Sequence, residues 1–168
     1  MKRLSALLLA LPFAVGAQEP PSTDFKGFHV GTRIDEAKVV NDFKAKCSKT
    51  FCSGDTTIAG AKAKVYFAVG LDGLIDRINV TFSPSSFPEV AAALRAKFGP
   101  PADGNTTKVQ NSYGATASQT VLLWNRPDGA SIVARERADR ISEADVTYVS
   151  ARELQVSEFN TKNNIGDL

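Results

Sequence analysis

The sequence predicts an α+β fold, an antiparallel sheet with two amphipathic helices packed on one face, and three observations carry the prediction. Residues 86–101, SFPEVAAALRAKFGPP, have a start, an apolar stripe and a stop that agree on one helix. Residues 63–69 and 78–82 alternate apolar and polar side chains with the period of two of a half-buried strand. The turn residues Leu71-Asp72-Gly73 and Pro127-Asp128-Gly129 lie between apolar runs, where hairpins need them.

Taken from the start, residues 1–17, MKRLSALLLALPFAVGA, set Lys2 and Arg3 ahead of an apolar run ending in small residues. That is the pattern of a signal peptide. The run is shorter than the roughly 20 apolar residues of a membrane span, and no later stretch approaches that length, so no span is expected after cleavage. With no cysteine at the cut to carry a lipid, the expected destination is the periplasm or the medium.

Residues 18–24 read as a flexible, proline-bearing leader, and residues 25–154 as a single α+β domain. Residues 25–30 suit a short strand closed by Gly31. Thr32 and Asp35 then have the spacing of a helix cap, and Ile34, Ala37, Val40 and Phe43 lie at helical steps as far as Cys47. Cys47 and Cys52 are the only cysteines, and an even count in an exported chain predicts a disulfide, here stapling the end of that helix. Their C-x4-C spacing differs from the C-x2-C of thioredoxin-like redox sites. Two thiols and one histidine also fall short of the four ligands of a structural zinc site, so no metal is expected.

A short strand over 56–59 precedes the first hairpin. There Ala63, Val65, Phe67, Val69, Ile78, Val80 and Phe82 point inward, while Lys62, Lys64, Tyr66, Arg77 and Asn79 form a wet face. In the helix that follows, Ser86 is placed to cap the first turn with Glu89 reaching back, and Pro88 sits where no amide partner is needed. Phe87, Val90, Ala91, Leu94 and Phe98 make its stripe. Burying the four larger side chains is worth roughly 6 to 12 kcal/mol gross, which obliges the stripe to lie on something apolar. Gly99 and the prolines after it end the helix.

Residues 102–118 are rich in Gly, Asn, Ser and Thr and read as a loop with one short strand about Val109. Residues 121–124 and 132–137 form a second hairpin, residues 146–151 a further strand, and residues 155–168 a polar C-terminal tail. Thr32-x-x-Asp35 echoes Ser86-x-x-Glu89, and Asp72-Gly73 echoes Asp128-Gly129, at offsets of 54 and 56 residues. The order helix, strand, strand, strand is therefore read twice, over 32–83 and 86–151.

Charge bounds the partners. Of 20 Lys and Arg, Lys2 and Arg3 leave with the signal, so 18 face 18 Asp and Glu. A balanced chain has no sequence-independent attraction to nucleic acid or anionic lipid.

The segments CSGDTTIAG, AVGLDGLIDRINVTF and the helix ending KFGPP together resemble a group of uncharacterised exported bacterial proteins. The helix-then-meander units are similar to those of β-lactamase-inhibitory-protein-like folds and of small outer-membrane-assembly lipoproteins, although the chain lacks the lipid-bearing cysteine of the latter. The resemblance implies an α+β fold that binds proteins across an open sheet face.

No nucleophile elbow, zinc-protease helix, Walker loop or dinucleotide fingerprint is present. His29, the one histidine, reads as a strand-edge residue. Asp55, Asp72, Asp76 and Asp103 are candidate carboxylates, though Gly neighbours Asp55, Asp72 and Asp103 and points to turn duty. The stronger signal is the wet face of Lys62, Lys64, Tyr66, Arg77 and Asn79, joined by Trp124 and Arg135 from the second hairpin. Tyr, Trp and Arg are the usual anchors of protein contacts. The plainer reading of the same residues is solvated strand positions, with Trp124 filling core. The expectation is a non-enzymatic exported protein-binding module, an inhibitor, immunity factor or envelope-assembly accessory whose partner is another exported or envelope protein. A small periplasmic hydrolase using acidic side chains is the alternative, and no cofactor is expected.

Overall fold

The computed structural model describes residues 23–110, 114, 116–138 and 140–166; the expected signal peptide over 1–17 lies outside them. The described chain enters through a small hairpin, β1 (Asp24–Phe25) and β2 (Phe28–His29). It continues through α1 (Glu36–Phe43), β3 (Lys46–Ser48), β4 (Phe51–Ile58), β5 (Ala61–Val69) and β6 (Ile75–Phe82). After α2 (Phe87–Phe98) come β7 (Asp103–Gln110), β8 (Thr116–Asn125), β9 (Ser131–Arg135) and β10 (Ala144–Val149), then α3 (Ala151–Gly166). The eight longer-range strands form one antiparallel sheet in the order β3-β4-β5-β6-β10-β9-β8-β7. Each of α1 and α2 is thus followed by a meander of four strands, where three were expected, and the two meanders meet where β6 pairs with β10.

Strand alternation sorts the side chains onto two faces. Val65, Val80, Val146, Ala134 and Leu122 lie in one cross-strand row, and Phe67, Ile78, Tyr148, Ile132 and Trp124 in the next. All ten are buried. Phe43 of α1 meets Phe67 with ring centroids 5.7 Å apart, and Phe98 of α2 meets Tyr148 at 6.5 Å. The expected stripe of α2 is buried at every position, Phe87, Val90, Ala91, Leu94 and Phe98.

The ends of the helices differ from expectation for identifiable reasons. Asp35, not Thr32, caps α1, its carboxylate accepting from the Lys38 amide at 3.0 Å; the Thr32 hydroxyl instead donates to the His29 carbonyl at 2.8 Å. The buried stripe is therefore Val39 and Phe43, while Ala37 and Val40 face water. Lys44 then adopts a left-handed conformation and ends α1 before Cys47. At α2 Ser86 makes no side-chain cap, because a 3₁₀ turn over Pro84–Ser86 leads the chain in. Gly99 closes α2 as expected, its amide donating to Arg95 at 2.9 Å with φ at 81°.

The Cys47–Cys52 disulfide is formed, but it bridges β3 and β4 rather than a helix end, the two residues standing directly opposite each other. β7 and β8 pair over eight residues where a loop with one short strand about Val109 was expected. As an outer strand β7 is exposed at every position but Val109, so it needs no apolar alternation. The strand read over 146–151 ends at Val149, and α3 runs from Ala151 through most of the stretch read as a tail, its first turn held by the ion pairs of Arg152 and Glu153. The leader is shorter than read, since Thr23 is buried and Asp24 belongs to β1. The two Asp-Gly turns are not counterparts: the first joins β5 to β6, the second β8 to β9.

Candidate functional site

The other face of the sheet carries the polar half of each alternation. One cross-strand row runs Lys64, Thr81, Asp145, Arg135 and Val121, and the next Tyr66, Asn79, Thr147, Val133 and Leu123. Arg77 follows on β6, and Lys62 lies at the other end of β5. The structure therefore brings Lys62, Lys64, Tyr66, Arg77, Asn79 and Arg135 to one face. Trp124 is corrected: it lies on the opposite face, 2% exposed, with its Nε1–H donating to the Gly99 carbonyl at 2.9 Å. An indole there caps a carbonyl at the end of α2 and fills core, so it is not offered to a partner.

At the centre of the polar face sits Asp145, only 1% exposed. Arg135 donates to it twice, Nε to Oδ1 at 2.9 Å and Nη2 to Oδ2 at 2.6 Å. Asn79 Nδ2 donates to Oδ2 at 2.9 Å, and the Thr147 hydroxyl to the same oxygen at 3.2 Å. Asn79 also donates to Thr147 Oγ1 at 2.8 Å. A buried carboxylate survives only when so surrounded by donors. Its two oxygens accept four hydrogen bonds, one at Oδ1 and three at Oδ2, which makes it a fixed floor. Above this floor runs a groove of about 390 Å³, bordered by Arg77, Val133, Ala138, Glu143 and Val149.

Each end of the face has its own chemistry. Beyond Arg77, which pairs with Glu153 of α3 at 2.5 Å, Arg152 of α3 bridges Asp72 of the β5–β6 connection and Asp76 of β6. The Arg152 hydrogen bond, helped by the Leu74 amide, holds the Asp72 carboxyl below its ordinary range, and Asp76 and then Asp72 push the Arg152 guanidinium up. Gly70 makes room for this cluster, since a Cβ there would fall 2.6 Å from both Arg152 Nη2 and Asp72 Oδ1. At the opposite end, Lys44, Lys46, Ser53, Asp55, Lys64 and Tyr66 border a second concavity, of about 340 Å³. Phe51, beside it on β4, is 42% exposed and lies 5.9 Å from the Tyr66 ring.

Of the other candidates, His29 ends β2, Asp55 stands opposite Lys64, and the Asp103 carboxylate accepts from the Gly104 amide at 2.7 Å. Asp72 and Asp76 do come together, but across a shared guanidinium. Among the described residues no group of three or more His, Cys, Asp and Glu is gathered to hold a metal ion, and no helix is long and apolar enough to cross a membrane. Asp145, Thr147 and Phe51 escaped the sequence reading. The first two had a signal, since alternation with Val146 and Tyr148 puts them on the polar face. No protein-family model, curated protein or solved structure matches the chain.

Proposed function

We propose that the chain is an exported, non-enzymatic protein-binding module that presents its polar sheet face to another exported or envelope protein, as an inhibitor, immunity factor or assembly accessory does. In this reading α1 and α2 brace one side of the sheet and leave the other for docking. The carrying observation is the saturated centre of that face, where Arg135, Asn79 and Thr147 all donate to Asp145. A floor whose donors and acceptors satisfy one another is rigid, and rigid surfaces lose little entropy on association. Around it Lys62, Lys64 and Arg77 are exposed and Tyr66 half-buried, supplying charge and an aromatic anchor.

Export is supported by the signal-like residues 1–17 and by the Cys47–Cys52 bridge, because such bridges persist in oxidising compartments.

The test is affinity capture from the native envelope with the full exported chain as bait, against Tyr66→Ala and Arg77→Ala. Both side chains are on the polar face and outside the buried rows, so the sheet should stay folded; Arg77→Ala also releases Glu153 of α3, so a loss seen in Tyr66→Ala speaks for the face alone. A specific partner should be retained at least about tenfold less well by one of them, as expected for an interface anchor. Unchanged retention by both rules the face out.

A further inference from the structure

We infer that the β3–β5 end of the polar face docks an acidic segment of a partner protein that also carries one apolar side chain; this rests on the binding reading above and gives the partner its chemistry. Lys44, Lys46 and Lys64 reach one concavity from three places in the chain: the left-handed residue after α1, the outer strand β3, and β5. None of the three makes an ion pair among the described residues. Asp55 is the only acidic side chain on the rim, so positive charge is in excess there. Lys62, exposed one alternation further along β5, extends it. In a concave site bounded by protein, such a field is focused rather than dispersed.

Charge alone would fit any anion. The second observation is apolar: Phe51 stands outside the core, 42% exposed, against the ring of Tyr66 that lines the same concavity. Exposed aromatic pairs within a charged rim fit partner side chains that are apolar at the centre and acidic around it. The patch is also held in shape. The Cys47–Cys52 bridge lies between the cross-strand pairs Lys46–Ser53 and Ser48–Phe51, and the Ser48 hydroxyl donates to the Phe51 carbonyl at 3.1 Å.

The test titrates the full chain, expressed for export and recovered oxidised, with a synthetic peptide of glutamates flanking one leucine, observed by backbone amide NMR. Shifts should centre on Lys46, Phe51, Ser53, Lys64 and Tyr66. Affinity should fall about tenfold in K46E/K64E and about fivefold in Phe51→Ser, and should weaken as salt is raised from about 50 to about 300 mM. Absence of binding, shifts confined to the Arg77 and Asn79 region, or equal affinity for a leucine-free peptide or an oligonucleotide overturns the inference. With a partner captured from the envelope, loss of binding in K46E/K64E supports it. Loss in Arg77→Ala with K46E/K64E unaffected overturns this inference while the face reading stands, and no loss in any variant overturns both.

Discussion

Arg135 grips Asp145 with two parallel hydrogen bonds directly across the β9–β10 pair, at 2.9 and 2.6 Å, on the side of the sheet turned away from the aromatic core. The aspartate side chain is 2% exposed, the arginine 33%. Taking that carboxylate out of water costs several kcal/mol, which the fork offsets only while both partners are present. Arg135→Met should therefore destabilise the chain by about 3 to 5 kcal/mol, read as a shift in urea midpoint, because a charge is left buried and uncompensated. Removing both charges in Arg135→Met/Asp145→Leu should recover most of that loss. Simple additivity of the two single changes would show that the pair does not act as a unit.

Trp124 ties the second half of the sheet to the end of α2. Its indole donates to the carbonyl of Gly99, and Gly99 has φ 81° and ψ −168°, a region that a side chain disfavours. Trp124→Phe should cost about 1 to 3 kcal/mol, from the unpaired carbonyl and the space left by the smaller ring. Gly99→Ala should cost about 1 to 3 kcal/mol through backbone strain alone, since nothing lies within 4 Å of the added Cβ. Thermal melts of the two variants check both values, and an unaltered melting point in Trp124→Phe would remove this tie.

Which parts of this were legible follows from where each residue points. Val65, Phe67, Val80 and the α2 stripe were readable because one side of each meets the core and the other meets water. Trp124 was left between two readings, face anchor and core filler, because Val121, Leu122, Leu123 and Trp124 are all apolar and the parity of β8 cannot be read from them. β7 was read only as a short strand about Val109, because an outer strand exposed at its other positions has no period to display. At α1, Thr32 and Asp35 are both capping residues, and only the fold decides that the Asp35 carboxylate reaches the Lys38 amide. The polar centre was hidden for a different reason. Asp145 finds its Arg135 and Asn79 donors 10 and 66 residues away, and no local pattern announces a partner at such a distance.

The disulfide closes a loop of only five residues' separation, between strands that already pair. In the chain-entropy account so short a ring contributes about 2 kcal/mol. Reduction, or Cys47→Ser/Cys52→Ser, should lower stability by about that amount and leave the buried rows intact. Loss of protection in amide exchange should be confined to β3 and the adjoining part of β4. Global unfolding on reduction would mean that the bridge supports far more than its own hairpin.

Acid should weaken the junction of α3 with the β5–β6 connection. Asp72 is held below its ordinary carboxylate range by the Arg152 hydrogen bond first and the Leu74 amide second. A carboxyl depressed in the folded state binds its proton more readily when unfolded, so its stabilisation is complete above the ordinary carboxylate range and fades as pH falls through the depressed folded value. Arg152→Ala removes the cause. Melting curves of the two proteins should accordingly be separated at neutral pH and converge in acid, where Asp72 is protonated with or without its partner. Both side chains are substantially exposed, at 42% and 48%, so the separation should be small and should shrink further as salt is raised. A gap that persisted unchanged into acid would show that Arg152 acts by packing its stem against the turn, with its charge contributing nothing.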